Sequence, residues 1–114
     1  NPTATAELIG MMKQNLITGT GRLAFLRGFT RPAAGKTGTT SDTKDSWYVG
    51  FTPRTLTVTW SGYDDNTPSG LTGASGALPL WTDYMRAMSN FEKEEDFKWP
   101  AGVRAQSFSR GEIE

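Results

Sequence analysis

One short stretch, Ala34-Gly35-Lys36-Thr37-Gly38-Thr39-Thr40, sets an ammonium among three hydroxyls, with two glycines that leave room for an approaching ligand. Lysine brings a compact cation with three donors, each threonine a directional O–H, and glycine a backbone against which a ligand chain can lie. The chemistry that fits is the holding of a carboxylate or a phosphate.

Gly35-Lys36-Thr37 also closes the phosphate loop of nucleotide hydrolases. That pattern needs a glycine where Thr30 stands and a helix where Gly38 follows, so the spacing argues for a strand edge. Ser41-Asp42-Thr43-Lys44 matches the Ser-x-x-Lys string of serine acyl-enzymes. It lies in a polar turn rather than at the start of an apolar helix, and the match reads as accidental. Asp64 and Asp65 invite a reading as paired carboxylates or calcium ligands. Adjacent aspartates in a turn point apart and bond the local backbone, so neither role is expected.

The bounds are narrow. A chain of 114 residues, 36% hydrophobic and 21% charged, has the composition of one small folded unit. Twelve basic and twelve acidic residues balance, which argues against a nucleic-acid partner. The absence of cysteine and histidine excludes disulfides, thiol nucleophiles, most zinc sites and a histidine base, so neither a metal nor another cofactor is expected. No run approaches the roughly twenty apolar residues of a membrane span, and no direct membrane contact is expected.

The elements that must position Lys36 follow from periodicity. Asn1-Pro2 caps a helix over about 2–17, with Leu8, Met11, Met12 and Leu16 on one buried face. Gly19 and Gly21 stop it, and Leu23–Leu26 forms one more helical turn. After the connector 28–33, three antiparallel strands are expected: the Lys36 strand, then Trp47, Val49 and Phe51 alternating as a packed face, then Leu56, Val58 and Trp60. A second helix spans about 75–90, with Leu78, Trp81, Met85 and Met88 on one face and Pro79 in its first turn. Glu92–Asp96 is a solvated charge run, and Phe97–Val103 a strap laid back on the body. The folded portion is expected over 1–104, with a flexible tail over 105–114.

Four ordered motifs extend from the lysine strand: Lys36-Thr37-Gly38-Thr39-Thr40, Trp47-Tyr48-Val49-Gly50-Phe51-Thr52-Pro53, Gly62-Tyr63-Asp64-Asp65-Asn66, and Gly73-Ala74-Ser75-Gly76-Ala77 with Pro79-Leu80-Trp81. Together they resemble the C-terminal part of the transpeptidase domain of class A, bifunctional penicillin-binding proteins. The resemblance implies an α+β fold in which an antiparallel sheet is flanked by helices, as in the penicillin-binding transpeptidases and β-lactamases, with two further strands supplied from upstream. It also implies acyl transfer from stem peptides ending in D-alanyl-D-alanine, through a serine that β-lactams also acylate.

The same resemblance assigns the residues. Lys36 and Thr39 are the catalytic candidates, the lysine raising the local positive potential and the Thr39 amide forming half of an oxyanion hole. Thr37, Gly38, Thr39, Thr40 and Trp47 are the candidate substrate-binding residues, Gly38 keeping the edge open for a peptide to add as a strand. The expected partners are an upstream polypeptide carrying the Ser-x-x-Lys and Ser-x-Asn motifs, the peptidoglycan stem peptide and β-lactams. A class A parent implies a place on the extracytoplasmic face of the bacterial membrane, with the anchor outside this chain. Two alternatives stand beside this reading: a non-catalytic peptidoglycan- or protein-binding module, and a carboxypeptidase or β-lactamase of the same superfamily.

Overall fold

The computed structural model describes residues 1–106; most of the expected tail, 107–114, lies outside the described residues. Helix α1 runs Pro2–Ile17. Its first turn is satisfied by Asn1, whose Oδ1 accepts from the amides of Thr3 and Ala4 at 2.9 and 3.3 Å. The expected buried face is narrower than its spacing suggested. Leu16 enters the core, but Met11 is 66% exposed, because at 3.6 residues per turn it stands about 140° round the helix from Leu16. Leu8 is likewise exposed. A short helix α2, Leu23–Leu26, follows.

Strands β1 (Ala34–Thr39), β2 (Asp45–Phe51) and β3 (Leu56–Gly62) form an antiparallel sheet in that order. Lys36 pairs with Val49 and Val49 with Val58, while Gly38 pairs with Trp47 and Trp47 with Trp60. Residues opposite one another share a face. One face therefore carries Lys36, Gly38, Trp47, Val49, Val58 and Trp60, and the other Thr37, Thr39, Ser46, Tyr48, Gly50, Thr57 and Thr59.

The second of these faces is the packed one, which corrects the expectation that Trp47, Val49 and Phe51 line the core. Tyr48 and Ser46 are fully buried, whereas Trp47 and Trp60 are exposed, Val58 is 52% exposed and Leu56 65%. The inversion has a steric reason. A Cβ on Gly50 would lie 2.6 Å from Trp81 Cζ2, so glycine makes the space into which the indole of the following helix fits. That indole donates to the Gly50 carbonyl at 3.2 Å, and its ring meets Tyr48 at 5.0 Å and Phe29 at 5.3 Å.

Trp81 belongs to helix α3, Leu78–Met88, entered through a π-helical turn at Gly73–Ala77. Thr72 and Ser75 cap that turn reciprocally. Leu78, Trp81, Thr82 and Met85 are buried beneath the sheet, and Leu80 and Tyr84 face outward. Arg31 closes the far end of α3, donating to the carbonyls of Ser89 at 2.9 Å and Glu92 at 2.6 Å. Phe97 then packs edge-on against Phe51 at 5.8 Å, and Lys13 Nζ lies 5.6 Å from the Phe97 ring and 5.5 Å from the Trp99 ring. Among the described residues Asn15 of α1 and Trp81 of α3 both meet the Tyr48–Gly50 face of the sheet, and the Lys36 face is open beyond its Ala34–Phe51 end, where Phe97 packs.

Candidate functional site

The site is built on the outer edge of β1. Thr40 N–H donates to the Asp45 carbonyl at 3.1 Å, just beyond the last β1–β2 pair. Backbone groups alternate sides along an antiparallel strand, so Thr40, Gly38 and Lys36 bond toward β2 while the N–H and C=O of Thr37 and Thr39 point to the edge that no strand among the described residues covers. Lys36 reaches round this edge, and its Nζ donates to the Thr37 carbonyl at 3.1 Å and approaches Thr37 Oγ1 at 3.5 Å. An ammonium, a threonine hydroxyl and two free amides thus converge on one exposed strip of backbone.

From beneath, this strip is held by hydroxyl contacts to the turn that opens α3. Gly73 N–H donates to Thr39 Oγ1 at 2.9 Å. Ser46 Oγ donates to the Thr72 carbonyl at 2.6 Å and accepts from Ala77 N–H at 2.8 Å, and Thr59 Oγ1 donates to the Ala77 carbonyl at 2.8 Å. Each strand contributes one hydroxyl. The Thr39 oxygen, having accepted from Gly73, keeps its proton to donate elsewhere.

On the open face, the Asp45 carboxylate ties the end of β1 to the aromatic surface. Thr40 Oγ1 donates to Asp45 Oδ2 at 2.9 Å, and Trp60 Nε1 donates to Asp45 Oδ1 at 2.9 Å. Trp47 and Trp60 stand beside one another with ring centroids 6.3 Å apart. Lys36, Gly38 and Trp47 therefore share the open face, while Thr37 and Thr39 present their edge amides and direct their side chains toward the helices.

No protein-family model matches the chain. Individual relatives do. Penicillin-binding protein 1B of Vibrio cholerae is 41% identical over 99 residues, 87% of this chain and 12% of that protein. Penicillin-binding protein 1A of Aquifex aeolicus is 40% identical over 94 residues, 81% of this chain and 13% of that protein. The crystal structure of penicillin-binding protein 1A from Haemophilus influenzae superposes with a TM-score of 0.68 at 30% identity, covering 79% of this chain and 15% of that one. The chain belongs to the class A penicillin-binding proteins. It spans a small fraction of the length of these relatives, and its sheet and helices have the α+β arrangement of their transpeptidase fold.

Within this segment the Ser41-x-x-Lys44 string sits on a 3₁₀ turn, Ser41–Thr43, with Ser41 exposed and Asp42 and Thr43 at φ of 60° and 53°. Such a turn cannot stack Ser41 over Lys44 as a helix would. Asp65 Oδ1 accepts from the Thr67 amide at 3.0 Å, a local turn contact, and the Thr67 side chain first and this amide second lower the Asp65 pKa. Among the described residues no cluster of acidic side chains could hold a metal, and no helix is long and apolar enough to cross a membrane.

The site residues expected from the sequence did not include Asn15, Thr20, Asp45, Ser46 or Gly73, all of which contact or brace the lysine strand. The signal available for the hydroxyls was the unbroken Thr/Ser alternation of Thr57, Thr59 and Ser61 opposite an apolar row.

Proposed function

We propose that this penicillin-binding segment supplies the anion-holding strand of a D,D-transpeptidase active site, completed by an upstream polypeptide that bears the nucleophilic serine and a Ser-x-Asn motif. The observation that carries this reading is the free edge of β1, where the Thr39 amide, the Thr37 hydroxyl and the Lys36 ammonium converge.

In the proposed reaction the stem-peptide terminus adds alongside β1, its carboxylate held by Lys36 with the hydroxyls of Thr37 and Thr39. The upstream serine attacks the penultimate carbonyl, and the Thr39 amide donates to the oxygen as negative charge develops there. D-Alanine leaves with a proton, and an amine from a second stem peptide takes the acyl group and frees the serine, forming a cross-link. A β-lactam presents the same carboxylate and carbonyl but leaves the serine acylated. Gly38 gives the strand clearance, and Thr40 and Trp47 border the ligand on the open side. The parent protein acts in cell-wall synthesis outside the cytoplasmic membrane.

Intact-mass analysis after exposure to a fluorescent penicillin, with this chain and its upstream polypeptide together, tests the reading. A label on the upstream serine that is lost in Lys36→Ala and in Thr39→Pro, which removes the edge amide, supports it. A label on Ser41, or full labelling without Lys36, overturns it. Rapid hydrolysis of the acyl-enzyme by water would instead favour a carboxypeptidase or β-lactamase.

A further inference from the structure

Asn15, near the end of α1, and Thr20, in the turn behind it, stand in one line of hydrogen bonds with the anion strand. The buried hydroxyl of Tyr48 donates to Asn15 Oδ1 at 3.0 Å. That contact orients the amide and turns its Nδ2 to Thr20 Oγ1, to which it donates at 2.8 Å. Thr20 Oγ1 lies 3.0 Å from Thr37 Oγ1, which Lys36 Nζ also approaches.

Glycines make this line possible. A Cβ on Gly21 would lie 3.0 Å from the Tyr48 hydroxyl oxygen, and one on Gly35 would lie 2.7 Å from Tyr48 Cζ. Between them they leave a slot through which the phenol reaches α1. A ring confined so closely presents its hydroxyl to Asn15 in a single orientation.

The sense of the line follows from its donors. The Asn15 amide nitrogen can only donate, so the Thr20 oxygen accepts and keeps its own proton to give. When Thr37 gives its proton to an anion, its oxygen is left as an acceptor, and Thr20, at 3.0 Å, is the nearer of two donors to it, the Lys36 ammonium standing at 3.5 Å. Every bond then points from the buried phenol toward the ligand, and bonds running in one sense polarise one another.

We infer that Asn15 and Thr20 are positioning residues for carboxylate recognition, holding the Thr37 hydroxyl with its proton turned to the terminal carboxylate of the substrate. The inference rests on the reading of Lys36 and Thr37 as carboxylate-holding groups given above. Neither residue touches the reacting atoms; each acts through Thr37.

The test compares two acyl donors on the assembled protein, a penicillin and the same penicillin with its carboxylate esterified, and reads the ratio of their acylation rates. Thr20→Val removes the relay proton and should lower that ratio about tenfold, the order expected for one charge-assisted hydrogen bond. Thr20→Ser should restore it. Both rates come from one preparation, so partial unfolding lowers them together and leaves the ratio alone, and Thr20→Ala serves where valine is not accommodated. Thr37→Val is the control that separates the two readings. A ratio that falls in Thr37→Val but not in either Thr20 variant overturns the relay and leaves the site standing. A ratio unchanged in Thr37→Val overturns both.

Discussion

Trp81 lies over Gly50, its Nε1 donating to the glycine carbonyl at 3.2 Å and its Cζ2 occupying space that any side chain on that glycine would claim. In the assembled protein Gly50→Ala should cost about 1–3 kcal/mol through overpacking, read as a lower urea midpoint with unchanged m-value. An unaltered midpoint would mean that the indole can slide without loss.

Tyr48 ties stability to alkaline pH. Burial raises its phenol above the ordinary tyrosine range, so the native state keeps a proton that the unfolded chain surrenders. Stability is then fully present below the unfolded pKa of about 10 and falls as pH rises beyond it. Urea midpoints of the assembled protein, measured from about pH 8 to about pH 11, should decline over the upper part of that range. Tyr48→Phe should flatten the decline while lowering the starting value, because Asn15 loses its donor.

Gly73 is wedged against the β1–β2 backbone. A Cβ there would lie 2.8 Å from the Trp47 carbonyl oxygen and 2.9 Å from the amide nitrogen and carbonyl oxygen of Gly38, none of which can swing aside as a side chain would. Gly73→Ala should therefore push the π-helical turn off the strand and break its bond to Thr39. Penicillin acylation of the assembled protein should drop at least about tenfold, the scale of one lost hydrogen bond in a site. Wild-type acylation kinetics would show that the turn does not brace the site.

The open face predicts dependence on a partner. Leu56, Val58, Trp47 and Trp60 form an exposed apolar surface on the Lys36 face of the sheet, which is packed at its Ala34–Phe51 end but open beyond it. The isolated 114-residue chain should bind a hydrophobic dye and unfold without a cooperative transition, and addition of the upstream polypeptide should restore both protection and a sharp melt. A sharp monomeric melt of the lone chain would contradict this.

Much of this arrangement was legible from spacing. Helix α1 and the three strands fall where the caps and period-two runs put them, because Asn1, Pro2 and short turns such as Pro53-Arg54 act locally. Facing was not legible. The apolar row Trp47, Val49, Val58 and Trp60 has the pattern of a core, and the row that packs contains Ser46, Thr59 and a glycine. A buried hydroxyl row is acceptable here because Thr72 and Ala77 supply backbone partners from about thirty residues away in places, and no periodicity encodes so distant a contact. The Lys36 strip was found by motif, whereas Asn15 and Thr20 escaped because their link to Thr37 runs between elements.

In the proposed site, Lys36 and the threonines beside it would meet one anion from opposite sides of a single strand. The ammonium comes from the open face, and the hydroxyls are braced by Thr20 behind α1 and by the turn before α3. Selection therefore has two separate dials on the same grip. Drift among the concealed polar contacts would loosen hold on an antibiotic's carboxylate while every motif residue stays unchanged, so a survey of resistance confined to the signature tripeptide would miss it.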